Sequence, residues 1–303
     1  MNIQEILFQI NGEEIPNYFG INREERNLAA ILYALLCKPS YLKNFLEELD
    51  LETEIGDDFG IYFEYAYLRD FWRDLDSVDS DSKQTAKANI SEINRVKGEF
   101  IQKLLGNHAD IKKIFSDTDD VQKINEALGV GGPLSKKYIQ SPGRWSITKL
   151  DDHFQGAEND EIFLKLCMFK WAFNIKPDIV LHIDKSTAIC IETKYESGES
   201  QYPTLKKEVD IFNRRWKDKV EPTPFERDVL TNRTHPRIKQ MQLQKYLLED
   251  LLGIKTTFVL VGPKDLKSDC YKHKEWEDVF TDAALADMPQ FVRKMANTAS
   301  KLP

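Results

Sequence analysis

Asp178, Glu192 and Lys194 are the residues whose types and spacing best suit chemistry. Asp178 opens the run Asp-Ile-Val-Leu-His-Ile behind Pro177, and Glu192-Thr-Lys closes the run that starts at Thr187. Both runs are short, rich in β-branched residues and bounded by turn formers, with Asp184-Lys185-Ser186 between them, which predicts a two-stranded hairpin. Side chains alternate faces along a strand. Ala188, Cys190, Glu192 and Lys194 therefore share one face, and Ile189, Ile191 and Thr193 the other. In register, the hairpin brings Asp178 and Glu192 together at one end of a sheet, with Lys194 beside them. Two carboxylates at the end of a buried sheet are costly unless they hold a cation. Hard oxygen ligands of this kind suit Mg²⁺. A neighbouring lysine would orient an attacking water or stabilise charge growing on a phosphate.

The elements that must position these groups lie on both sides of the hairpin. Ahead of it, residues 158–173 predict a helix with Ile162, Phe163, Leu166, Phe169 and Phe173 on one apolar stripe. Glu158 and Glu161 fall in its first turn, where acids are favoured by the helix dipole alone. Behind the hairpin, Thr204 to Val220 predicts a basic helix and Glu221 to Pro236 a loop. Ile238 to Gly253 then predicts an amphipathic helix closed by glycine, with Gln242 and Tyr246 one turn apart on the same face. An apolar strand, Ile254 to Val261, ends at Gly262-Pro263.

Pro177-Asp178 followed by Glu192-Thr193-Lys194 resembles the signature of the PD-(D/E)XK nuclease superfamily. Gln242-x-x-x-Tyr246 resembles the QxxxY motif of its RecB-like branch. Acidic-x-Lys also occurs at Asp81, Asp110 and Asp265, but none of these closes an apolar strand preceded by a Pro-Asp strand. The resemblance spans residues 157–262 and their order of helix, strand, strand, helix, strand. It implies an α/β fold with a restriction-endonuclease-like core, a mixed β-sheet flanked by helices, within residues 141–303. It also implies metal-dependent phosphodiester hydrolysis. Asp178 and Glu192 would ligate Mg²⁺ or Mn²⁺, helped by the Thr193 carbonyl and by Glu161, and Lys194 would act on the water or the phosphate. Gln242 and Tyr246 would support the site and the substrate phosphates. The connection from Lys194 to Gln242 is long for this pattern. Cys37, Cys167, Cys190 and Cys270 are scattered, so no iron–sulfur cluster is expected.

Composition is that of a soluble globular chain of 303 residues, 41% hydrophobic and 30% charged, with a net charge of −8. The charge is unevenly divided. Residues 1–140 hold 16 Lys and Arg against 25 Asp and Glu, and residues 141–303 hold 26 against 25. Within 206–245 the count is 11 basic to 6 acidic. Lys206, Lys207, Arg214, Arg215, Lys217 and Arg237 are the candidates there for contact with a nucleic-acid backbone. No apolar run approaches the roughly 18 residues of a membrane span. The first residues lack the basic-then-apolar pattern of a signal peptide, and the cysteines suggest no disulfide framework. A cytoplasmic setting without membrane attachment is expected.

The first 140 residues read as a mainly α-helical, acidic domain. Helices are expected from the Asn22 cap to Leu36, over Leu42–Leu49, Ile61–Trp72 and Ser80–Leu105, and over Val121–Leu128. Gly129-Val-Gly-Gly-Pro133 is the candidate linker, and Ser146 to Leu150 a short strand. The aromatic cluster Tyr62, Phe63, Tyr65, Tyr67, Phe71 and Trp72 fits a helical core better than a base-stacking platform, because its surroundings are acidic. That acidity favours a protein partner, self-association or regulation for this half. The whole chain reads as a DNA endonuclease in restriction, defence or DNA processing, with RNA open as a substrate. The alternative is a non-catalytic nucleic-acid-binding subunit of a larger defence or repair complex, which would bind with steep salt dependence and no metal requirement.

Overall fold

The strand Thr187–Thr193 is buried along nearly its whole length, because Ala188, Ile189, Cys190 and Ile191 present apolar side chains to both faces of a sheet. The computed structural model describes residues 9–10, 13–14, 25–51, 55–75, 86–105, 109–115, 120–195, 198–266 and 271–299. In chain order the elements begin with α1 (Glu25–Leu36), α2 (Pro39–Glu48), β1 (Gly60–Phe63), α3 (Tyr67–Asp74), α4 (Ala86–Leu105), α5 (Ala109–Ile114) and α6 (Val121–Ala127). They continue with α7 (Ile147–His153), α8 (Asp160–Ala172), β2 (Ile179–His182), β3 (Thr187–Thr193), α9 (Lys206–Trp216) and α10 (Pro224–Val229). The last are α11 (Gln240–Lys245), which runs into a π-helical turn over Tyr246–Leu251, then β4 (Lys255–Gly262), β5 (Lys272–Glu275), α12 (Trp276–Val279), α13 (Asp282–Leu285) and α14 (Gln290–Ala299).

These elements fall into two compact units, neither contiguous in sequence. The first comprises Met1–Tyr65, Pro177–Gly198 and Ile254–Pro303, and the second Ala66–Lys176 and Glu199–Gly253. A single cut at residue 140 therefore does not separate them, since the first 140 residues contribute to both.

The first unit is a mixed α/β body around a five-stranded sheet of order β1-β2-β3-β4-β5. The pairs β1–β2 and β2–β3 are antiparallel, while β3–β4 and β4–β5 are parallel. Ile179 pairs with Ile191 and Val180 with Cys190, so the hairpin has the expected register. Asp184 Oδ1 shapes its turn by accepting from the Ser186 amide at 2.6 Å and hydroxyl at 2.8 Å. Ile179, Leu181, Ile189, Ile191, Val259 and Val261 form one core with Leu28, Leu32, Leu35 and Leu36 of α1 and with Leu42, Phe45 and Leu46 of α2. Trp276, Val279, Phe280 and Leu285 close that core from the C-terminal segment, with Val292 packed against it. The side chain of Phe291 lies outside the described residues.

The second unit is mainly helical, with a two-stranded antiparallel sheet of Gln201–Tyr202 and Ile238–Lys239, so the helix expected from Ile238 starts only at Gln240. Phe163 and Trp171 of α8 meet Phe212 of α9 with ring centroids 6.4 and 5.6 Å apart, and Trp216 lies 5.9 Å from Phe163. A buried ion network holds the same helices. Arg215 pairs with Asp151 at 2.9 Å and Asp160 at 2.7 Å, with its guanidinium 4.1 Å from the Phe163 ring centroid. Lys219 then bridges Asp160 at 2.7 Å to Glu226 at 2.8 Å. The long excursion after β3 is thus ordered by aromatic packing and ion pairing.

Several local expectations are corrected. Ile61 to Trp72 is one strand and one helix, β1 and α3, because Gly60–Phe63 finds an open sheet edge at β2. Phe63 packs on the first core and Trp72 is buried, whereas Tyr62 and Phe71 stay 39% and 46% exposed. Ser146 begins a helix, α7, because its hydroxyl accepts from the Lys149 amide as an N-cap. Residues 221–236 contain α10, started by a Thr223/Glu226 capping box. Lys272–Glu275 adds a fifth strand to the sheet beside β4. The expected Asn22 cap, the start of the long helix at Ser80, and Cys270 lie outside the described residues. Among the described residues no helix is long and apolar enough to cross a membrane.

Trp276 links this packing to the candidate site. It is 1% exposed, stacks on Phe280 at 5.0 Å, and donates its indole N–H to the Lys194 carbonyl at 2.9 Å. Trp276→Phe keeps most of the packing and loses the hydrogen bond, an expected cost of about 1 kcal/mol. Trp276→Ala is expected to cost about 3–5 kcal/mol. Urea denaturation of both variants beside the parent measures the difference, and equal midpoints for the two would remove the packing argument.

Candidate metal and catalytic centre

Register alone sets the first two acids. Continuing the β2–β3 pairing one step past Ile179 and Ile191 puts Asp178 opposite Glu192. Pro177 has no N–H to extend the ladder, and Asp178 is fixed by other bonds. Its carbonyl accepts from the Glu64 amide at 2.9 Å. Its Oδ2 accepts from the Thr193 amide at 2.8 Å and the Thr193 hydroxyl at 2.7 Å. Thr193, named by the resemblance for its carbonyl, thus orients Asp178 through its amide and hydroxyl.

Lys194 follows the last residue of β3 and continues the ladder through its amide, which donates to the Val261 carbonyl at 2.8 Å. Its ammonium donates to Glu192 Oε1 at 2.8 Å and to Glu25 Oε1 at 2.8 Å. Lys194 and Glu192 are only 5% and 4% exposed. Glu25 begins α1 and also accepts from the Tyr195 amide through Oε2, at 3.2 Å. Glu25, Asp178 and Glu192 each place one carboxylate oxygen within 4.8 Å of the others.

Among the described residues the cluster combines three carboxylates with one ammonium. The donors are oxygens only, the set that Mg²⁺ and Mn²⁺ prefer. Burial raises the Asp178 carboxyl above its ordinary range and is opposed by the two Thr193 hydrogen bonds and by Lys194. Burial also works against the Lys194 ammonium, but Glu192 and Glu25 outweigh it and hold that group above its ordinary value. Lys194 is therefore a fixed positive charge at neutral pH.

Glu25 is the residue that sequence reasoning missed. It falls within the helix expected from the Asn22 cap to Leu36, and nothing in the sequence announces that α1 packs on the sheet beside β3. Glu161, chosen because its helix directly precedes the hairpin, belongs to the second unit and pairs with Lys165 at 2.7 Å. Gln242 and Tyr246 also belong to the second unit. Gln242 accepts from the Lys239 amide at 3.0 Å and donates to the Asp228 carbonyl at 2.7 Å. Tyr246 is buried where α11 widens into its π turn, and burial raises its phenol above the ordinary value. His182 meets Tyr62 edge-on at 5.5 Å and Cys190 is fully buried, in keeping with packing roles for both.

The basic candidates divide by environment. Lys206, Lys207 and Lys217 are exposed. Arg214 is exposed but paired with Asp151, and Arg237 is half-buried with one guanidinium nitrogen donating to the Pro236 carbonyl. Arg215 is committed to the buried ion network and is not free to meet a phosphate.

A carboxyl whose folded pKa is raised contributes stability that is present below the ordinary carboxylate range and lost as pH rises through the raised value. In the absence of divalent cations, stability should therefore fall from acid to neutral pH more steeply in the parent than in Asp178→Asn. Mg²⁺ or Mn²⁺ at a hundredfold excess over its dissociation constant should add about 2.7 kcal/mol to the parent at neutral pH. The variant should gain much less. Thermal melts of both proteins between about pH 4 and 8, with and without cation, measure this. An undiminished cation response in Asp178→Asn would remove Asp178 from the site.

No family model, no curated protein and no solved structure matches this chain.

Proposed function

We propose that this chain is a metal-dependent phosphodiesterase of the PD-(D/E)XK type, a DNA endonuclease of restriction, defence or DNA processing in the cytoplasm. The observation that carries this reading is the meeting of Glu25, Asp178 and Glu192 within 4.8 Å, with the Lys194 ammonium 2.8 Å from Glu192. Asp178, Glu192 and Glu25 would hold Mg²⁺ or Mn²⁺, with the Thr193 carbonyl as a further donor. A bound divalent ion supplies charge to polarise a phosphate and lowers the pKa of a water.

The protein's own part follows from the distances. Thr193 holds the Asp178 carboxylate in one orientation through two hydrogen bonds. Glu25 and Glu192 hold the Lys194 ammonium in place and keep it protonated. A permanently charged lysine is a poor general base at neutral pH, so its role is to orient water or to stabilise negative charge on the phosphate. The exposed Lys206, Lys207 and Lys217 are the groups best placed to meet a nucleic-acid backbone, since none belongs to the buried network.

Two experiments test the reading. Supercoiled circular DNA should be cut with Mg²⁺ or Mn²⁺ and left intact with EDTA. Lys194→Met should lower the rate by about 10²-fold or more, and Glu25→Gln should lower it measurably. Parent-like cutting by both variants would sink the assignment, and metal-independent binding without cutting would favour the binding-subunit alternative. Separately, reversing Lys206, Lys207 and Lys217 to Glu should weaken DNA binding at every salt concentration. It should also make the salt slope shallower by about 0.9 for each phosphate that is no longer neutralised. An unchanged slope would place the nucleic-acid surface elsewhere.

A further inference from the structure

The aromatic run over residues 62–72 is divided by the fold, and its first part stands beside the proposed metal centre. β1 is the outermost strand of the sheet and pairs with β2, Tyr62 opposite Val180 and Phe63 opposite Ile179. One step further, the Glu64 amide donates to the Asp178 carbonyl at 2.9 Å. Strand parity therefore puts Tyr62 on the sheet face that Asp178 and Glu192 share, about 7 Å along β1 from the row of Asp178. Phe63 takes the opposite face and packs on the core, whereas Tyr62 keeps 39% of its surface exposed.

The backbone around Tyr62 is shaped to hold its ring in place. A Cβ at Gly60 would stand 2.8 Å from Tyr62 Cε2 and 2.9 Å from its hydroxyl oxygen, so the ring lies across the Gly60 backbone. Tyr62 and Tyr65 are three residues apart and would point to opposite faces of a regular strand. Glu64 removes that conflict. Its φ of 47° is left-handed, an uncommon state for a residue with a Cβ, and it turns the chain so that the two rings stand 4.9 Å apart at 30°. His182 supports Tyr62 edge-on at 5.5 Å. The acids of this edge are paired, Glu64 with Arg26, and Asp58 with Lys185 at 3.4 Å. Arg26 follows Glu25 on α1, and its side chain is 67% exposed. Exposed ion pairs are weak, so a phosphate, which an arginine fork grips bidentately, can displace Glu64 from it.

We propose that Tyr62, with Tyr65 beside it, is a stacking platform for an unpaired base of the substrate strand, and that Arg26 takes a phosphate of the same strand. Bases inside a duplex have both faces covered by their neighbours, so the substrate class is single-stranded or locally unpaired DNA. This rests on the reading of the Asp178, Glu192 and Lys194 site as one that takes DNA, and it adds which form of DNA enters. The separation of about 7 Å between Tyr62 and the row of Asp178 is about two base steps, so one strand spans both.

Fluorescence anisotropy of the full chain in EDTA tests it, with two labelled probes of equal length: a thymidine oligonucleotide and a strand built only of abasic residues. The parent should bind the thymidine strand at least about fivefold more tightly, the effect of stacking one base. Tyr62→Ala should lose that preference, and Tyr62→Phe should keep it. Unchanged affinity of Tyr62→Ala for the abasic strand would show that the variant is folded. Arg26→Gln should weaken both strands alike and make the salt slope shallower by about 0.7, one phosphate contact on a single strand. Equal affinity of the parent for the two strands, or a preference that survives in Tyr62→Ala, would overturn the platform. An unchanged slope in Arg26→Gln would overturn the phosphate contact. The preference is read without cutting, so its absence in a protein that cuts strikes this inference alone. Its presence in a protein that does not cut upholds the platform and strikes the nuclease reading.

Discussion

Charge balance at the end of the sheet is the constraint on which the first unit depends. Lys194 is buried, and a buried ammonium is tolerated only with partners of opposite sign. Glu192 comes from the same strand and Glu25 from α1, so the ion pairs tie the sheet to the helix packed on it. Asp178 completes the cluster, and its burial raises its carboxyl pKa against the pull of the Thr193 hydrogen bonds. Aliphatic packing alone would accept many small shifts of α1 against β3. The two 2.8 Å bonds of Lys194 do not, and they make the position of the helix and the electrostatics of the cluster one and the same property.

The second unit solves a comparable problem differently. Arg215, Asp160 and Glu226 are buried charges too, but each is matched within the described network. Cations and carboxylates there satisfy one another, and the network serves packing between α7, α8 and the segment after α9. Basic residues close together in sequence therefore have two different fates. Those on the inner side of α9 became structural, and those at its ends stayed exposed.

The hairpin was legible because strand periodicity is strict. A period of two fixes which of Ile191, Glu192 and Thr193 share a face, and the turn chemistry of Asp184 fixes the register. Gly253, with φ of 68°, marked a helix end just as directly. Glu25 was not legible, since its role arises from tertiary packing between segments far apart in the chain. Gly60–Phe63 misled for a related reason: an aromatic run suits helix or strand, and the free edge of β2 decided the matter. The helix at Pro224–Val229 was readable in principle, because Thr223 and Glu226 carry the spacing of a capping box, but the surrounding prolines and charges suggested loop.

The topology also shapes how the chain reaches this state. β3 and β4 are parallel neighbours, yet the chain between them contains α9, α10 and α11, elements of the other unit. A long unstructured loop would have to be closed before this pairing yields any hydrogen bond, and parallel pairing at such separation is slow. Once α9 to α11 have condensed on α8, the ends of the crossover are no longer those of a free coil, and the entropy left to lose on closure is smaller.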